Sequence, residues 1–105
     1  MGRITIAVYR PKKGKEDALL KLVHEHIPIL KDQQLITERK PIVMQAADKT
    51  IVEIFEWKSA EAIKQAHTNA AVQDLWNRFN EVCTYDIPVN VKEFSNMFSE
   101  FEPIN

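Results

Sequence analysis

The chain has 105 residues, 45% of them hydrophobic and 28% charged, which is the balance of one globular domain and far from the low hydrophobicity of disordered chains. Fourteen Lys and Arg against fifteen Asp and Glu leave a formal net charge of −1, so the basic excess that attracts phosphate backbones is missing and no nucleic-acid partner is expected. No apolar run approaches the roughly 20 residues of a membrane span, and Met1-Gly2-Arg3 leads into a strand-like pattern without a signal-peptide core, so a cytoplasmic protein with no membrane partner is expected.

In chain order, Ile4 to Arg10 alternates with period two and is rich in β-branched residues, which predicts a first strand. Pro11-Lys12-Lys13-Gly14 breaks it. From Lys15, the positions Leu19, Leu22, Val23, His26 and Leu30 recur at spacings of three and four and predict a helix, with Glu16 and Asp17 at the positive end of its dipole. Pro28 should kink or end that helix. Pro41–Ala47 and Thr50–Trp57 flank Asp48-Lys49 and predict a hairpin. With a two-residue loop, Val43 opposes Ile54 and Gln45 opposes Val52 on one face, while Met44 opposes Glu53 and Ile42 opposes Phe55 on the other.

Ser59 and Asn69 read as N-caps of two successive helices. The second of these carries an apolar stripe of Val72, Leu75, Trp76, Phe79, Val82 and Cys83. Cys83 to Ile87 reads as a fourth strand. The tail, residues 92–105, repeats helical spacing with Phe94, Met97, Phe98 and Phe101. The resulting order predicts an α+β protein with a ferredoxin-like β-α-β-β-α-β arrangement, an antiparallel sheet with helices on one face.

The run Glu53-Ile54-Phe55-Glu56-Trp57 into Ser59-Ala60-Glu61, the Ala66-His67 pair about ten residues beyond that Trp, and then Val72, Leu75, Trp76 and Phe79 together resemble the antibiotic biosynthesis monooxygenase-like (ABM) family. The resemblance spans most of residues 3–87. It implies a dimeric α+β barrel, hence a homodimer, and a small-molecule-binding protein acting as a cofactor-independent monooxygenase or isomerase on a small aromatic or carbonyl compound. The haem-degrading branch of that family carries an Asn on its first strand. Here the corresponding strand offers none, and His67 and Trp76 come in the reverse of that branch's order.

Among residues able to carry chemistry, His67 is the candidate catalytic base or proton donor, because an imidazole exchanges protons near neutral pH; its alternative role is to bond a backbone carbonyl at a helix end. Tyr9, Glu53, Trp76 and Phe79 are the candidate ligand-binding residues. Glu53 alternates with Ile51, Phe55 and Trp57, so a carboxylate shares an apolar sheet face and needs a partner, for which Arg39, Lys40 or a partner chain is available. Trp76 and Phe79 belong to the apolar stripe and offer a flat wall to an aromatic ligand. His26 lies on the apolar side of the first helix and His24 does not; neither has metal-ligand company, and no metal is assigned. Two glycines, Gly2 and Gly14, cannot build a phosphate loop, and the single Cys83 cannot form an internal disulfide, so no cofactor is expected. A non-enzymatic binding or structural homodimer is the alternative reading.

Overall fold

The structure, a computed structural model, describes residues 1–105. Its elements are β1 (Arg3–Pro11), α1 (Glu16–Asp32), β2 (Ile42–Gln45), β3 (Ile51–Trp57), α2 (Ala60–Ala66), α3 (Ala70–Val82) and β4 (Cys83–Asp86). Two 3-10 turns, Pro88–Asn90 and Lys92–Ser95, then lead to a short β5 (Glu102–Pro103). The protein is thus α+β, with three helices and a five-stranded sheet in the order β4-β1-β3-β2-β5, every neighbouring pair antiparallel. No helix is long and apolar enough to cross a membrane.

Local chemistry places the helix ends. The Ser59 hydroxyl accepts from the Ala62 N–H at 3.1 Å and the Asn69 side-chain carbonyl from the Val72 N–H at 3.1 Å, so each cap satisfies a donor that the first turn leaves free. Helix α1 runs through Pro28 to Asp32, so of the kink or end expected at that proline the end does not occur. Pro28 and His24, whose carbonyl loses its donor, both lie on the exposed side, where that carbonyl is open to solvent and the missing bond costs little. The helix ends at Asp32, beyond which Gln34 takes the left-handed region at φ 59° and the Leu35 N–H donates to the Leu30 carbonyl at 3.0 Å.

The hairpin register corrects the expectation by one residue: Val43 pairs with Glu53, Met44 with Val52 and Ile42 with Ile54. The loop has three residues, Ala47-Asp48-Lys49. The Lys49 N–H donates to the Ala46 carbonyl, Lys49 takes a left-handed φ of 77°, and the Asp48 carboxylate accepts from the Thr50 N–H at 3.0 Å. A one-residue slip moves every β2 side chain to the opposite face, and this register is the one that puts Val43 into the core.

The helices cover one face of the sheet. Leu19, Leu22 and Val23 of α1 and Leu75, Phe79 and Val82 of α3 pack on Tyr9, Val43 and Ile51, while Phe55 and Trp57 meet Ile27, Leu30, Ala62 and Val72. On the outer face Val8, Ala46, Val52 and Val91 form a smaller cluster, onto which Phe94 and Phe101 fold. Those two rings stand 5.0 Å apart. In an α-helix residues seven apart are separated by about 10 Å along the axis, so the tail is not the helix its spacing suggested. It doubles back, and β5 pairs with the free edge of β2, which leaves Met97 and Phe98 exposed at the bend.

Candidate functional site

A carboxylate in the central strand of an apolar sheet face costs several kcal/mol unless it finds hydrogen-bond donors. Glu53 is 0% exposed. It receives its donors from two elements: the Tyr9 hydroxyl of β1 donates to Oε1 at 2.7 Å, and His26 Nδ1 of α1 lies 2.8 Å from the same oxygen. Glu53 Oε2 is sealed from solvent and has no partner. Neither Arg39 nor Lys40 reaches the site; Arg39 pairs with Glu56 at 3.0 Å instead.

Strand pairing explains how Tyr9 reaches Glu53. Ala7 is the residue directly opposite Glu53, and Tyr9 sits two positions along, on the diagonal that a long aromatic side chain can span. The small Ala7 leaves open the space that a larger side chain would fill. Phe79 stacks on Tyr9 with ring centres 5.0 Å apart and planes 17° apart. His26 is held edge-on by Phe55 at 5.3 Å and by Phe79 at 5.5 Å.

Above this floor opens a cavity of about 390 Å³ between the sheet and α3. Such a volume falls within the range of small-molecule sites. The sheet contributes Thr5, Ala7, Tyr9, Phe55, Trp57 and Tyr85, and α1 contributes His26. Helix α3 contributes Trp76 and Phe79 along with the amides Gln73, Asn77 and Asn80, whose spacing of four and three puts them along one side. Gln73 Nε2 donates to the Ala66 carbonyl, whereas the Asn77 and Asn80 amides, exposed at the mouth, make no bond within the chain.

The phenols of the wall stay protonated. Burial, reinforced by the Glu53 charge, pushes the Tyr9 hydroxyl well above its ordinary pKa, and burial, with Cys83 second, lifts Tyr85 to about 12. Tyr9 is therefore the donor in its bond to Glu53. Cys83, with its Sγ against the Phe79 carbonyl, is pushed up to about 11 by burial and is an inert thiol. No group of three or more His, Cys, Asp or Glu side chains converges as a metal centre requires.

Of the residues singled out from sequence, Tyr9, Trp76 and Phe79 line the cavity, and Glu53 lies directly behind it, bonded to two lining residues. His67 is not in the lining: it caps α2 at the surface, its Nδ1 2.8 Å from the Ile63 carbonyl, and it reaches the site only through an edge-on ring contact with Trp76 at 5.3 Å. The histidine in the cavity wall is His26, which sequence reasoning passed over. The signal for it was a histidine in the apolar stripe of one element and an unpaired glutamate on the apolar face of another.

Compared with family profiles, curated proteins and solved structures, the chain shows no match. The functional reading therefore rests on the geometry above.

Proposed function

We propose that the chain is a homodimeric small-molecule-binding protein whose helix-side cavity holds a small aromatic or carbonyl compound, and that it acts on this compound as a cofactor-independent monooxygenase or isomerase. The observation that carries the reading is the cavity itself: an aromatic-walled space of about 390 Å³ with a buried Tyr9–Glu53–His26 cluster at its floor. Protein interiors are close-packed, so a space of this size is a candidate ligand site, and large aromatic walls with few polar groups favour flat, largely apolar ligands. The β4-β1-β3-β2 order, with helical crossovers on one face, supports a ferredoxin-like core of the kind found in dimeric α+β barrels.

The homodimer is supported by the outer sheet face. Ile6, Ile54 and Ile42 form one row across β1, β3 and β2. Ile6 is 46% exposed and Ile42 52%, with Ile4 beside them at 61%. A second copy packed sheet to sheet removes this apolar row from water.

A binding protein without catalysis is the second reading, and the placement of His67 favours it, since the residue to which the family resemblance gives the proton chemistry is engaged at a helix end. The cavity is tested first by intrinsic fluorescence. The chain's two tryptophans, Trp57 and Trp76, both line it, so a planar aromatic ligand that enters must quench their emission saturably. Emission that stays unchanged across a panel of phenolic and quinone-like compounds would remove the binding reading and the enzymatic one together.

A further inference from the structure

The carboxylate, the imidazole and the phenol below the cavity form a directional array, and its direction can be worked out. Glu53 Oε1 accepts from the Tyr9 hydroxyl, and the second group facing that oxygen is His26 Nδ1, which satisfies it as an N–H donor. A neutral imidazole protonated at Nδ1 carries its free lone pair on Nε2. His26 Nε2 has no partner in the chain, and it is not among the polar atoms sealed from solvent. The ring is otherwise enclosed, with Phe55 and Phe79 against it, and its open side is the cavity it lines.

We propose that His26 Nε2 is the catalytic base of this cavity, oriented by Glu53 as its positioning residue, and that the ligand is a small planar molecule carrying a weakly acidic proton, a phenol or an enolisable carbonyl compound. This rests on the ligand-binding reading of the cavity and deepens it. The two phenols of the wall, Tyr9 and Tyr85, hold their protons, so the free nitrogen lone pair offered by the titratable groups of the wall is that of His26 Nε2.

The step balances within the site. The ligand's O–H or C–H bond breaks, its electron pair stays on the ligand as a phenolate or enolate, and the proton bonds to Nε2. The resulting imidazolium sits 2.8 Å from a carboxylate whose second oxygen has no other partner. Charge created on the ring is thus met by charge already fixed beneath it, which is how a buried carboxylate assists a histidine base. When the ligand is an enolisable carbonyl compound, deprotonated at carbon, the free Asn77 and Asn80 amides of the lining are donors for its enolate oxygen. Return of the proton to a different atom of the same ligand completes an isomerisation with no co-reactant.

The test uses 4-nitrophenol, whose phenolate absorbs visible light, together with ¹⁵N spectra of the imidazoles in the ligand-free protein. Without ligand, His26 should be protonated at Nδ1 and bare at Nε2, and Glu53→Gln, whose amide also donates, should lose that preference. With 4-nitrophenol at a pH below its own midpoint, tryptophan quenching should report binding, and the phenolate-to-phenol ratio of the bound probe should exceed that of the free probe by about tenfold, the worth of a hydrogen bond to a charged group. His26→Gln should still quench and lose the excess phenolate; if that variant does not fold, Glu53→Gln serves, its fold checked by circular dichroism.

Quenching without excess phenolate would overturn the base and leave the cavity reading standing. No quenching would overturn the cavity reading, and the base with it as far as this ligand class goes. A His26 ring protonated at Nε2 in the free protein would overturn the proposed orientation whatever the probe does.

Discussion

The Tyr9 hydroxyl donates to Glu53 Oε1 at 2.7 Å across two neighbouring strands, deep in the protein and at the floor of the aromatic-walled cavity. The phenol supplies one of only two donors that this buried carboxylate has. Tyr9→Phe keeps the stacking on Phe79 and removes that donor, so it isolates the polar contact. The expected cost is about 1.5–3 kcal/mol, the range for hydrogen bonds to charged groups, read as a lower midpoint in urea denaturation. A midpoint equal to the wild type would mean that water replaces the phenol.

The acid limb of stability should report on Arg10. Its guanidinium bonds Asp86, Asp48, Thr50 and the Asn90 carbonyl, and so ties β1 to β4, to the hairpin loop and to the turn after β4. Hydrogen bonds from Arg10, then from Asn90 and the Ile87 N–H, hold the Asp86 carboxyl down to about 2. A carboxylate depressed in the folded state stabilises the protein above its unfolded pKa of about 4 and loses that contribution as pH falls toward about 2. Arg10→Gln should therefore flatten the drop in melting temperature between about pH 4 and pH 2, while lowering the melting temperature at neutral pH. An unchanged acid limb would show that Arg10 does not hold Asp86 in solution.

His67 should behave as a helix cap. His67→Ala removes its bond to the Ile63 carbonyl at an exposed site, and about 1 kcal/mol or less of stability should go with it. Binding of a planar aromatic probe should survive. Lost binding or lost turnover with the fold intact would restore the proton role that the family resemblance gives this residue.

The isoleucine row predicts assembly. Sedimentation at low micromolar concentration should return twice the 12.2 kDa chain mass, and Ile6→Lys should return the single chain. Because Phe94 and Phe101 already pack on the outer face of their own chain, Phe101→Ala should lower stability in either state, whereas Met97→Ala and Phe98→Ala, both exposed, should leave the stability of the single chain unchanged. A wild-type chain that sediments as 12.2 kDa would remove the homodimer.

What was legible in the sequence is what local chemistry decides. Ser59 and Asn69 announce their helices because a cap acts on an N–H three residues away, and the alternation around Glu53 reveals its face because strand geometry is local. The hairpin register was not legible, because it hangs on a left-handed Lys49, a conformation that most sequences reserve for Gly or Asn. The partner of Glu53 was not legible either. It depends on the rotation and depth at which α1 lies on the sheet, and packing of Leu19, Leu22 and Val23 sets both. The tail spacing pointed to a helix, yet the open edge of β2 and the uncovered outer face of the sheet offered Phe94, Phe101 and β5 better partners than one another's helical neighbours.

If the space beneath α3 is a ligand site, an amide and side-chain NMR titration with 4-nitrophenol should give saturable shifts at Thr5, Ala7, His26 and Trp57 and at the Asn77 and Asn80 side chains, with Ile4, Ile6 and Ile42 on the opposite sheet face unmoved. Shifts confined to the outer face, or none at all, would contradict it.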